Sequence, residues 1–523
     1  RPFRMMEERV WLSSYPEGVP AEIDASQYDS LVSLMEESFS KFADRTAYSF
    51  MGHNIGYRET DVKSQALAAY FQSLGLEKGD RVAVMMPNVP QYPVAVAAIL
   101  RAGLVVVNVN PLYTPRELQH QLRDSGARVI VVVENCAATL AQVIADTPIE
   151  AVITTQIGDL LPFPKSLLTN FVVKRVKKLV PAFSLPGSIP FRTTLARGRA
   201  QPYHRVQLGP DDVAFLQYTG GTTGLSKGAT LSHGNLVANL LQMRAWIGPK
   251  LEDGKDVVAT ALPLYHIFAL TVNCMLFVHI GGKNLLITDP RNLEAFIAEL
   301  DRQRITAFTG VNTLFNALVN HPDFADLDFS SLKFTVGGGA AVQQVVAEKW
   351  KAVTGVALTE GYGLSETSPG VCFSPIDRPD WNGTIGLPLP STWVSLRDDD
   401  EREVPTGQPG ELCVKGPQVM RGYWNKPEAN AAAFTADGYF RTGDVGCFDA
   451  QGFLKIVDRK KDMIIVSGFN VYPNEIEAVV TDCPGVAECA CIGVPDEKTG
   501  EAVQLFVVAT PAAALTEADV IAF

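Results

Sequence analysis

The chain has 523 residues, of which 47% are hydrophobic and 20% are charged, and its formal net charge is -12. This composition is typical of a globular protein with a sizeable core, and the length allows one large domain with a smaller one. The acidic balance argues against general nucleic-acid binding, because phosphate neutralisation requires clustered lysine and arginine. We therefore expect no nucleic-acid partner.

The eight cysteines are scattered and include no CxxC pair, which predicts free thiols in a reducing compartment. The first residues contain no apolar segment of the kind found in signal peptides. No stretch reaches the roughly 20 apolar residues that a membrane-spanning helix needs. These features predict a cytoplasmic protein that is soluble or attached only to a membrane surface.

The N-terminal part of the chain alternates between predicted strands and helices. We expect strands at 82–86, 105–108 and 129–133, and helices at 92–101 and 115–125. Such strand–helix–strand alternation is typical of parallel sheets covered by helices.

Residues 156–205 interrupt this alternation with repeated prolines and a basic cluster, Lys174, Arg175, Lys177 and Lys178. Apolar residues are interleaved with these charges, as in an amphipathic basic helix. Two interpretations stay open: a solvated helix face, and a docking surface for anionic lipid.

From residue 211 the alternation resumes, with a strand at 213–217, a loop of glycine and threonine, and a helix at 235–246. Near residue 407 the pattern changes to short strands punctuated by glycine, which predicts a small β-rich subdomain. Beyond Asp458 a short α/β pattern follows, with a helix at 474–481.

The strongest local signal is the segment 218–228, YTGGTTGLSKG, directly after an apolar strand. Its glycines let backbone amides approach a ligand, its hydroxyl groups add donors, and Lys227 adds a positive charge. Such a loop can cradle a polyphosphate. It is not a Walker P-loop, because Gly228 stands where that motif has the Ser or Thr that holds Mg²⁺.

This loop resembles that of the adenylate-forming superfamily, which includes acyl-CoA synthetases, luciferases and peptide-synthetase adenylation domains. Three further motifs follow in the family's order: GYGLSET at 361–367, YFRTGDV at 439–445 and GFLKIVDRKKD at 452–462. The resemblance covers nearly the whole chain.

The resemblance implies an α/β fold with two domains. The N-terminal domain, 1–457, is expected to consist of helix-covered, mostly parallel sheets, with the β-rich subdomain at about 390–457. The C-terminal domain, 458–523, is expected to be a smaller, mobile α+β unit with its hinge at Asp458.

The resemblance also implies a nucleotide site. Tyr362 is expected to stack on adenine, Asp444 to accept hydrogen bonds from the ribose hydroxyls, and Arg459 and Lys461 to reach ribose and phosphate. The other residues implied to contact ATP or AMP are Thr219, Gly220, Gly221, Thr223, Gly224, Gly337, Gly338, Gly339, Gly361, Gly363 and Ser365. Ser365 stands where the family usually has threonine, and it keeps the hydroxyl.

Four residues are implied to be catalytic: Thr222, Lys227, Glu366 and His266. Glu366 and Thr222 are the expected Mg²⁺ ligands, since Mg²⁺ commonly uses one or two carboxylates together with substrate oxygens. His266 resembles the family's gate beside the acyl carboxylate, although a histidine among apolar residues is more often part of a core. No general base is needed, because the substrate carboxylate is already ionised at neutral pH.

Motifs at 108–117, 260–268, 310–316 and 466–475 resemble the bacterial long-chain fatty-acid–CoA ligases more narrowly. This implies conversion of a long-chain fatty acid to acyl-AMP and then to acyl-CoA, with ATP, Mg²⁺ and coenzyme A, for fatty-acid uptake and β-oxidation. It implies work at the inner face of the cytoplasmic membrane and leaves a homodimer open. The residues expected to line the acyl and CoA channels are Phe268, Val311 and Gly468.

The family carries a catalytic lysine near its C-terminus, and this sequence ends before that position. We therefore expect the sequence as given to bind ATP and fatty acid but to adenylate poorly. Two other functions stay open: an acyl-AMP ligase that delivers to a carrier protein, and a non-catalytic nucleotide- and lipid-binding protein. An amino-acid adenylation domain is disfavoured, because the apolar segment 308–319 offers no carboxylate for a substrate amine.

Overall fold

The computed structural model describes residues 9–219, 225–378, 380–467 and 469–523. The strands are β1 (Thr46–Phe50), β2 (His53–Gly56), β3 (Arg81–Met85), β4 (Val105–Val109), β5 (Val129–Val133), β6 (Ala151–Thr155), β7 (Ile189–Pro190), β8 (Val213–Thr219), β9 (Lys227–Ser232), β10 (Val257–Thr260), β11 (Lys283–Leu286), β12 (Ala307–Gly310), β13 (Phe334–Gly337), β14 (Leu358–Gly363), β15 (Gly370–Phe373), β16 (Leu387–Pro388), β17 (Trp393–Arg397), β18 (Gly410–Lys415), β19 (Phe440–Phe448), β20 (Leu454–Arg459), β21 (Ile464–Val466), β22 (Phe469–Val471), β23 (Val486–Asp496) and β24 (Gly500–Ala509).

The helices are α1 (Leu31–Lys41), α2 (Tyr57–Ser73), α3 (Gln91–Arg101), α4 (Pro115–Ser125), α5 (Ala137–Val143), α6 (Lys165–Phe171), α7 (Phe191–Arg199), α8 (His233–Ile247), α9 (Leu276–His279), α10 (Leu293–Arg302), α11 (Asn312–Val319), α12 (Gln344–Thr354), α13 (Pro427–Ala433), α14 (Pro473–Thr481) and α15 (Glu517–Ala522). Turns of π-helix continue α6 over Val172–Val176 and precede α9 over Ala269–Met275.

Two large sheets form the N-terminal part of the molecule. One has the strand order β7-β6-β5-β3-β4-β8-β9 and the other β16-β15-β14-β13-β12-β10-β11-β1-β2. Their inner strands are parallel, and antiparallel strands stand at the edges except at β7, which pairs parallel with β6. Every residue of β4 and β5 is buried, as expected for parallel strands that are covered on both faces. The predicted α/β class is confirmed.

Two smaller sheets follow, and both are antiparallel. The first, β17-β18-β19-β20, is the β-rich region that the glycine-punctuated pattern predicts. The second, β22-β21-β24-β23, is joined by α14, which packs against β23. The last strand of the first sheet includes Asp458, the residue predicted to mark the start of the C-terminal domain.

Local sequence signals explain where helix α4 begins and ends. The Thr114 side chain accepts a hydrogen bond from the Glu117 amide at 3.3 Å, and proline occupies the first turn. Gly126 ends the helix with φ of 67°, a left-handed conformation that glycine adopts without steric cost. The predicted bounds of this helix are those of the structure.

One local prediction needs correction. The sequence places the segment 218–228 between a strand and a helix, but β9 intervenes and pairs antiparallel with β8. Helix α8 then begins at His233, where Ser232 and Asn235 form a capping box. The short sequence KGATLS alternates too weakly between apolar and polar residues to show a strand.

Within the described residues, no helix combines the length and apolar character that crossing a bilayer requires.

A buried histidine joins α8 to α1. His233 Nδ1 accepts a hydrogen bond from the Leu31 amide at 3.2 Å, so the proton of the neutral ring lies on Nε2. Burial lowers the pKa of His233 to about 4. Protonating Nδ1 would also remove the acceptor that the Leu31 amide needs, which favours the neutral ring further.

This pKa predicts how stability depends on pH. Between pH 6.5, the ordinary pKa of histidine, and pH 4, the approximate pKa of His233 in the folded state, the unfolded chain takes up a proton on this residue. The folded chain keeps His233 neutral over the same range. The contribution to the free energy of unfolding is therefore complete above pH 6.5 and declines by up to about 3 kcal/mol as pH falls to 4. Melting temperatures measured across this range should fall.

The matched variants are His233→Asn, whose amide oxygen can take the place of Nδ1, and His204→Asn at an exposed position. The His233→Asn variant should lose less stability over this pH range than the parent, and the His204→Asn variant should follow the parent. Burial lowers the pKa of His279 to about 4 as well, so some decline remains. An unaltered slope in the His233→Asn variant would contradict the assignment.

Candidate active site

The carboxyl ends of three adjacent parallel strands bring together residues that are distant in sequence. Gly310 of β12 pairs with Gly337 of β13, which in turn pairs with Glu360 of β14. The residues that follow each strand therefore lie side by side at one edge of the sheet. In open α/β sheets this edge is where ligands commonly bind.

Glycine is required at this edge because neighbouring atoms occupy the space of a side chain. A Cβ at Gly338 would lie 2.2 Å from the Phe268 ring, and a Cβ at Gly363 would lie 2.1 Å from the Pro369 carbonyl oxygen. Gly339 has φ of +78°, and a Cβ there would meet Val311 at 3.4 Å. The predicted channel residues Phe268 and Val311 thus lie against the glycines predicted to bind nucleotide.

Tyr362 of β14 contacts the first antiparallel sheet through its hydroxyl, which donates a hydrogen bond to the Asp444 carboxylate. Asp444 lies on β19 and pairs with Arg459 on β20. Burial raises the pKa of Asp444, while the Tyr362 hydrogen bond and the charge of Arg459 act in the opposite direction. Three residues predicted from separate motifs therefore come together between two sheets.

Glu366 forms a second cluster with Lys227 and Tyr423. The Tyr423 hydroxyl donates to Glu366 Oε2 at 3.3 Å, and Lys227 Nζ lies 4.6 Å from the centre of the Tyr423 ring. Burial raises the pKa of Glu366, and the Tyr423 hydrogen bond and the Lys227 charge oppose that shift. The cluster thus holds a buried carboxylate at the Tyr423 hydroxyl and a cation over the ring of the same tyrosine.

Tyr423 is positioned by backbone pairing with β9. The Trp424 amide donates to the Gly228 carbonyl at 2.8 Å, and the Thr230 amide donates to the Gly422 carbonyl at 3.0 Å. Ala229 and Tyr423 form an antiparallel bridge. The sequence does not predict a role for Tyr423, because nothing in RGYWNKP indicates that this segment pairs with a strand nearly 200 residues earlier.

Strands β8 and β9 converge toward Thr219 and Lys227, and the Thr219 hydroxyl donates to the Lys227 carbonyl at 3.4 Å. The intervening residues predicted to contact phosphate lie outside the described residues; they are Gly220, Gly221, Thr222, Thr223 and Gly224. Gly468, predicted to approach the CoA channel, lies outside them as well.

His266 is not part of either cluster. Its side chain is exposed, and Nδ1 accepts a hydrogen bond from the Phe268 amide at 3.3 Å. Within the described residues, the side chain of His266 is linked to the site through Phe268, which contacts Gly338. The prediction that His266 gates the acyl channel stays a prediction.

The remaining predicted residues lie at the junction of the two antiparallel sheets. Asp458 is buried, and its carboxylate accepts hydrogen bonds from the Arg459 amide at 2.7 Å and the Asn474 amide at 2.9 Å. Asn474 is in the first turn of α14, where a carboxylate interacts favourably with the helix dipole. Lys461 is exposed in the turn that follows β20.

Gly338 provides a test of how tightly this edge is packed. We expect Gly338→Ala to reduce the free energy of unfolding by about 1–3 kcal/mol, because the methyl group would overlap the Phe268 ring. Combining it with Phe268→Leu should restore part of the loss. Thermal unfolding measures both effects.

Gly209→Ala is the matched control, since nothing lies within 4 Å of a Cβ at that position. If Gly338→Ala costs no more stability than Gly209→Ala, the close contact between Gly338 and Phe268 is wrong.

Comparison with known proteins places these observations in a family. Residues 35–424 match the AMP-binding enzyme family, and residues 475–523 match the AMP-binding enzyme C-terminal domain. The chain is 56% identical to a long-chain-fatty-acid–CoA ligase of Escherichia coli O6:H1 over 517 residues, which is 99% of this chain and 92% of the relative. A Bacillus subtilis protein of the same description is 37% identical, covering 96% of this chain and 90% of the relative.

Among solved structures, the ATP-bound MatB of Rhodopseudomonas palustris superimposes with a TM-score of 0.80 at 30% identity. The superposition covers 94% of this chain and 91% of MatB. The extent of these matches confirms the family resemblance that the motifs indicated.

Proposed function

The chain belongs to the AMP-binding enzyme family, among the long-chain-fatty-acid–CoA ligases, and on this basis we propose that it activates long-chain fatty acids with ATP and transfers them to coenzyme A. The observation that carries the proposal is the 56% identity to the Escherichia coli ligase over 99% of the chain. The clustering of Lys227, Tyr362, Glu366 and Asp444 between the sheets supports it, because three of the ordered motifs supply these residues.

The nucleoside of ATP binds at the edge formed by β13 and β14 in this proposal. Tyr362 and the backbone of the glycines at 337–339 and 361 contact adenine in this proposal. Asp444, which accepts a hydrogen bond from Tyr362, has a second carboxylate oxygen for a ribose hydroxyl. Arg459 lies opposite Asp444 and supplies positive charge beside the ribose and phosphate.

The triphosphate lies beside Lys227 and Glu366. The chemistry of Glu366 fits Mg²⁺, because burial raises the pKa of this carboxyl group and a nearby cation stabilises its ionised form. Glu366, with the Thr222 hydroxyl, would hold the ion. When bound, Mg²⁺ supplies positive charge to the phosphate oxygens.

The reaction has two steps. A carboxylate oxygen of the fatty acid attacks the α-phosphorus, the bond to the bridging oxygen breaks, and pyrophosphate leaves from the acyl-AMP. The thiolate of CoA then attacks the acyl carbonyl carbon, the bond to the AMP oxygen breaks, and AMP leaves. Lys227 neutralises charge on the departing pyrophosphate in the first step.

The acyl chain enters past Phe268 and Val311, with His266 at the entrance. Phe268 lies against Gly338 and Val311 lies against Gly339, so the acyl carboxylate is brought to the edge where the α-phosphate lies. Each CH₂ group removed from water contributes about 0.8 kcal/mol, which favours long chains in an apolar channel.

Between the two steps the residues beyond Asp458 rotate as a domain. In the described state the Asp458 carboxylate holds the first turn of α14 through the Asn474 amide. In this proposal Asp458 is the hinge, and its hydrogen bond from Asn474 is a contact that stabilises the described arrangement.

Association with the inner face of the cytoplasmic membrane is the second part of the proposal. The apolar side chains of Phe163, Leu167, Leu168 and Phe171 are more than half exposed on and beside α6. The basic residues Lys174, Arg175, Lys177 and Lys178 directly follow this helix. Exposed apolar residues flanked by lysine and arginine are typical of a surface that binds anionic lipid.

Glu366 gives a direct test of the catalytic assignment. Glu366→Gln keeps an acceptor for Tyr423 but removes the charge that holds Mg²⁺, so ATP–pyrophosphate exchange with a long-chain fatty acid should fall by about 100-fold or more. Tyr423→Phe should reduce the exchange less, because the carboxylate remains. Glu348→Gln, at an exposed position on α12, is the control.

The same measurement separates the proposal from its alternatives. A non-catalytic binding protein would show no exchange above that of the Glu366→Gln variant with any fatty acid. An acyl-AMP ligase would exchange pyrophosphate but form thioester with a carrier protein and not with CoA.

The membrane surface is tested with vesicles of anionic lipid. Replacing the four basic residues of 174–178 by glutamate should lower binding in a salt-dependent way, and replacing Leu167, Leu168 and Phe171 by serine should lower binding at all salt concentrations. Thioester synthesis from dissolved substrates should not change. Replacing Arg197 and Arg199, which are exposed on α7, by glutamate is the control. Equal vesicle binding by the parent and both surface variants would exclude this surface.

A further inference from the structure

Helix α4 presents two polar side chains, one helical turn apart, to the ends of the segment 218–228, which is predicted to bind phosphate. His120 and Asp124 both contact this region, and neither belongs to the motifs. Residues separated by one turn lie on the same face of a helix, so the two side chains act from one rigid surface.

Asp124 joins two separate parts of the chain. One carboxylate oxygen accepts a hydrogen bond from the Tyr218 hydroxyl at 2.7 Å, and the other accepts from Lys426 Nζ at 2.5 Å. The Asp124 side chain is only 10% exposed, which strengthens both contacts relative to the protein surface. Tyr218 directly follows the buried residues 214–217 of β8, and Lys426 lies three residues after Tyr423.

His120 holds the peptide that leads into Lys227. Its Nε2 lies 2.9 Å from the Ser226 carbonyl oxygen, and because a carbonyl can only accept, Nε2 is the donor. The nitrogen of the same peptide group belongs to Lys227. The orientation of this peptide therefore sets the direction in which the lysine side chain leaves the backbone.

The residue after Lys227 is held by the same network. A Cβ at Gly228 would lie 3.0 Å from Cζ of Tyr218, so the tyrosine ring packs directly on this glycine. The Tyr218 hydroxyl is in turn fixed by Asp124. The backbone is thus restrained at the residue before Lys227 and at the residue after it, and the lysine amine contacts the Tyr423 ring.

We propose that His120 and Asp124 are positioning residues that hold the Lys227 amine where it meets the phosphates of the nucleotide. This inference rests on the proposed function, in which Lys227 contacts phosphate. A lysine has a long, flexible side chain, so restraining its backbone and its aromatic neighbour before the nucleotide arrives favours the productive geometry. His120 and Asp124 act through Ser226, Tyr218 and Lys426 and need not touch the nucleotide.

The variants separate positioning from mere stability. His120→Leu should lower kcat/KM for ATP in pyrophosphate exchange by about 10-fold while leaving the KM for fatty acid unchanged. His120→Gln, whose amide nitrogen can take the place of Nε2, should restore most of the activity. Tyr218→Phe keeps the ring on Gly228 but removes the hydroxyl, and it should cause part of the loss that Asp124→Leu causes, because the contact between Asp124 and Lys426 remains. Melting temperatures report folding of each variant.

Combining each change with Lys227→Ala makes the test decisive. If the two residues act through the lysine, His120→Leu should cost little in a chain that already lacks the amine. An equal 10-fold loss in both backgrounds would overturn the positioning role while leaving the proposed function intact. Exchange activity that is unaffected by Lys227→Ala alone would instead refute the phosphate assignment of Lys227, and the positioning role with it. A matching fall in activity and melting temperature, without rescue by glutamine, would also overturn it.

Discussion

The buried carboxylate of Glu366 is the constraint on which the rest of the site depends. Removing an ionised carboxylate from water is costly unless hydrogen bonds or opposite charge compensate. Here Tyr423 donates one hydrogen bond, and Lys227, whose amine lies over the Tyr423 ring, supplies positive charge. The pKa of Glu366 is nonetheless raised by burial, so the protein alone compensates the carboxylate incompletely. In the proposed function, a cation that arrives with the nucleotide would complete the compensation and would couple binding of the metal to binding of the substrate.

This constraint explains why three distant segments must meet. Glu366 follows β14, Lys227 begins β9, and Tyr423 lies in a segment that pairs with β9 through its backbone. Because backbone pairing depends little on side chains, the position of Tyr423 is set by the strand it joins. Helix α4 adds a second support to the same region through His120 and Asp124. The charged groups are therefore held by rigid elements rather than by one another.

At the sheet edge proposed to bind the nucleoside, steric packing constrains the residues more than charge does. At Gly338 and Gly363 a side chain would overlap a ring or a carbonyl group, so the backbone itself forms the surface. Tyr362 and Asp444 then join this edge to the first antiparallel sheet, and Asp458 joins that sheet to α14. One continuous set of contacts thus runs from the nucleoside edge to the position about which the C-terminal residues are proposed to rotate.

The sequence by itself determined the fold class and most element positions, and it predicted the main residues of the proposed site. Short valine-rich runs such as those of β4 and β5 favour strands buried on both faces, and motifs such as GYGLSET carry their residue types within a few positions. Only the tertiary structure showed strand β9, the role of Tyr423, and the contacts of His120 and Asp124. Each of these depends on pairing or packing between segments far apart in the chain, and local residue patterns carry no information about such partners.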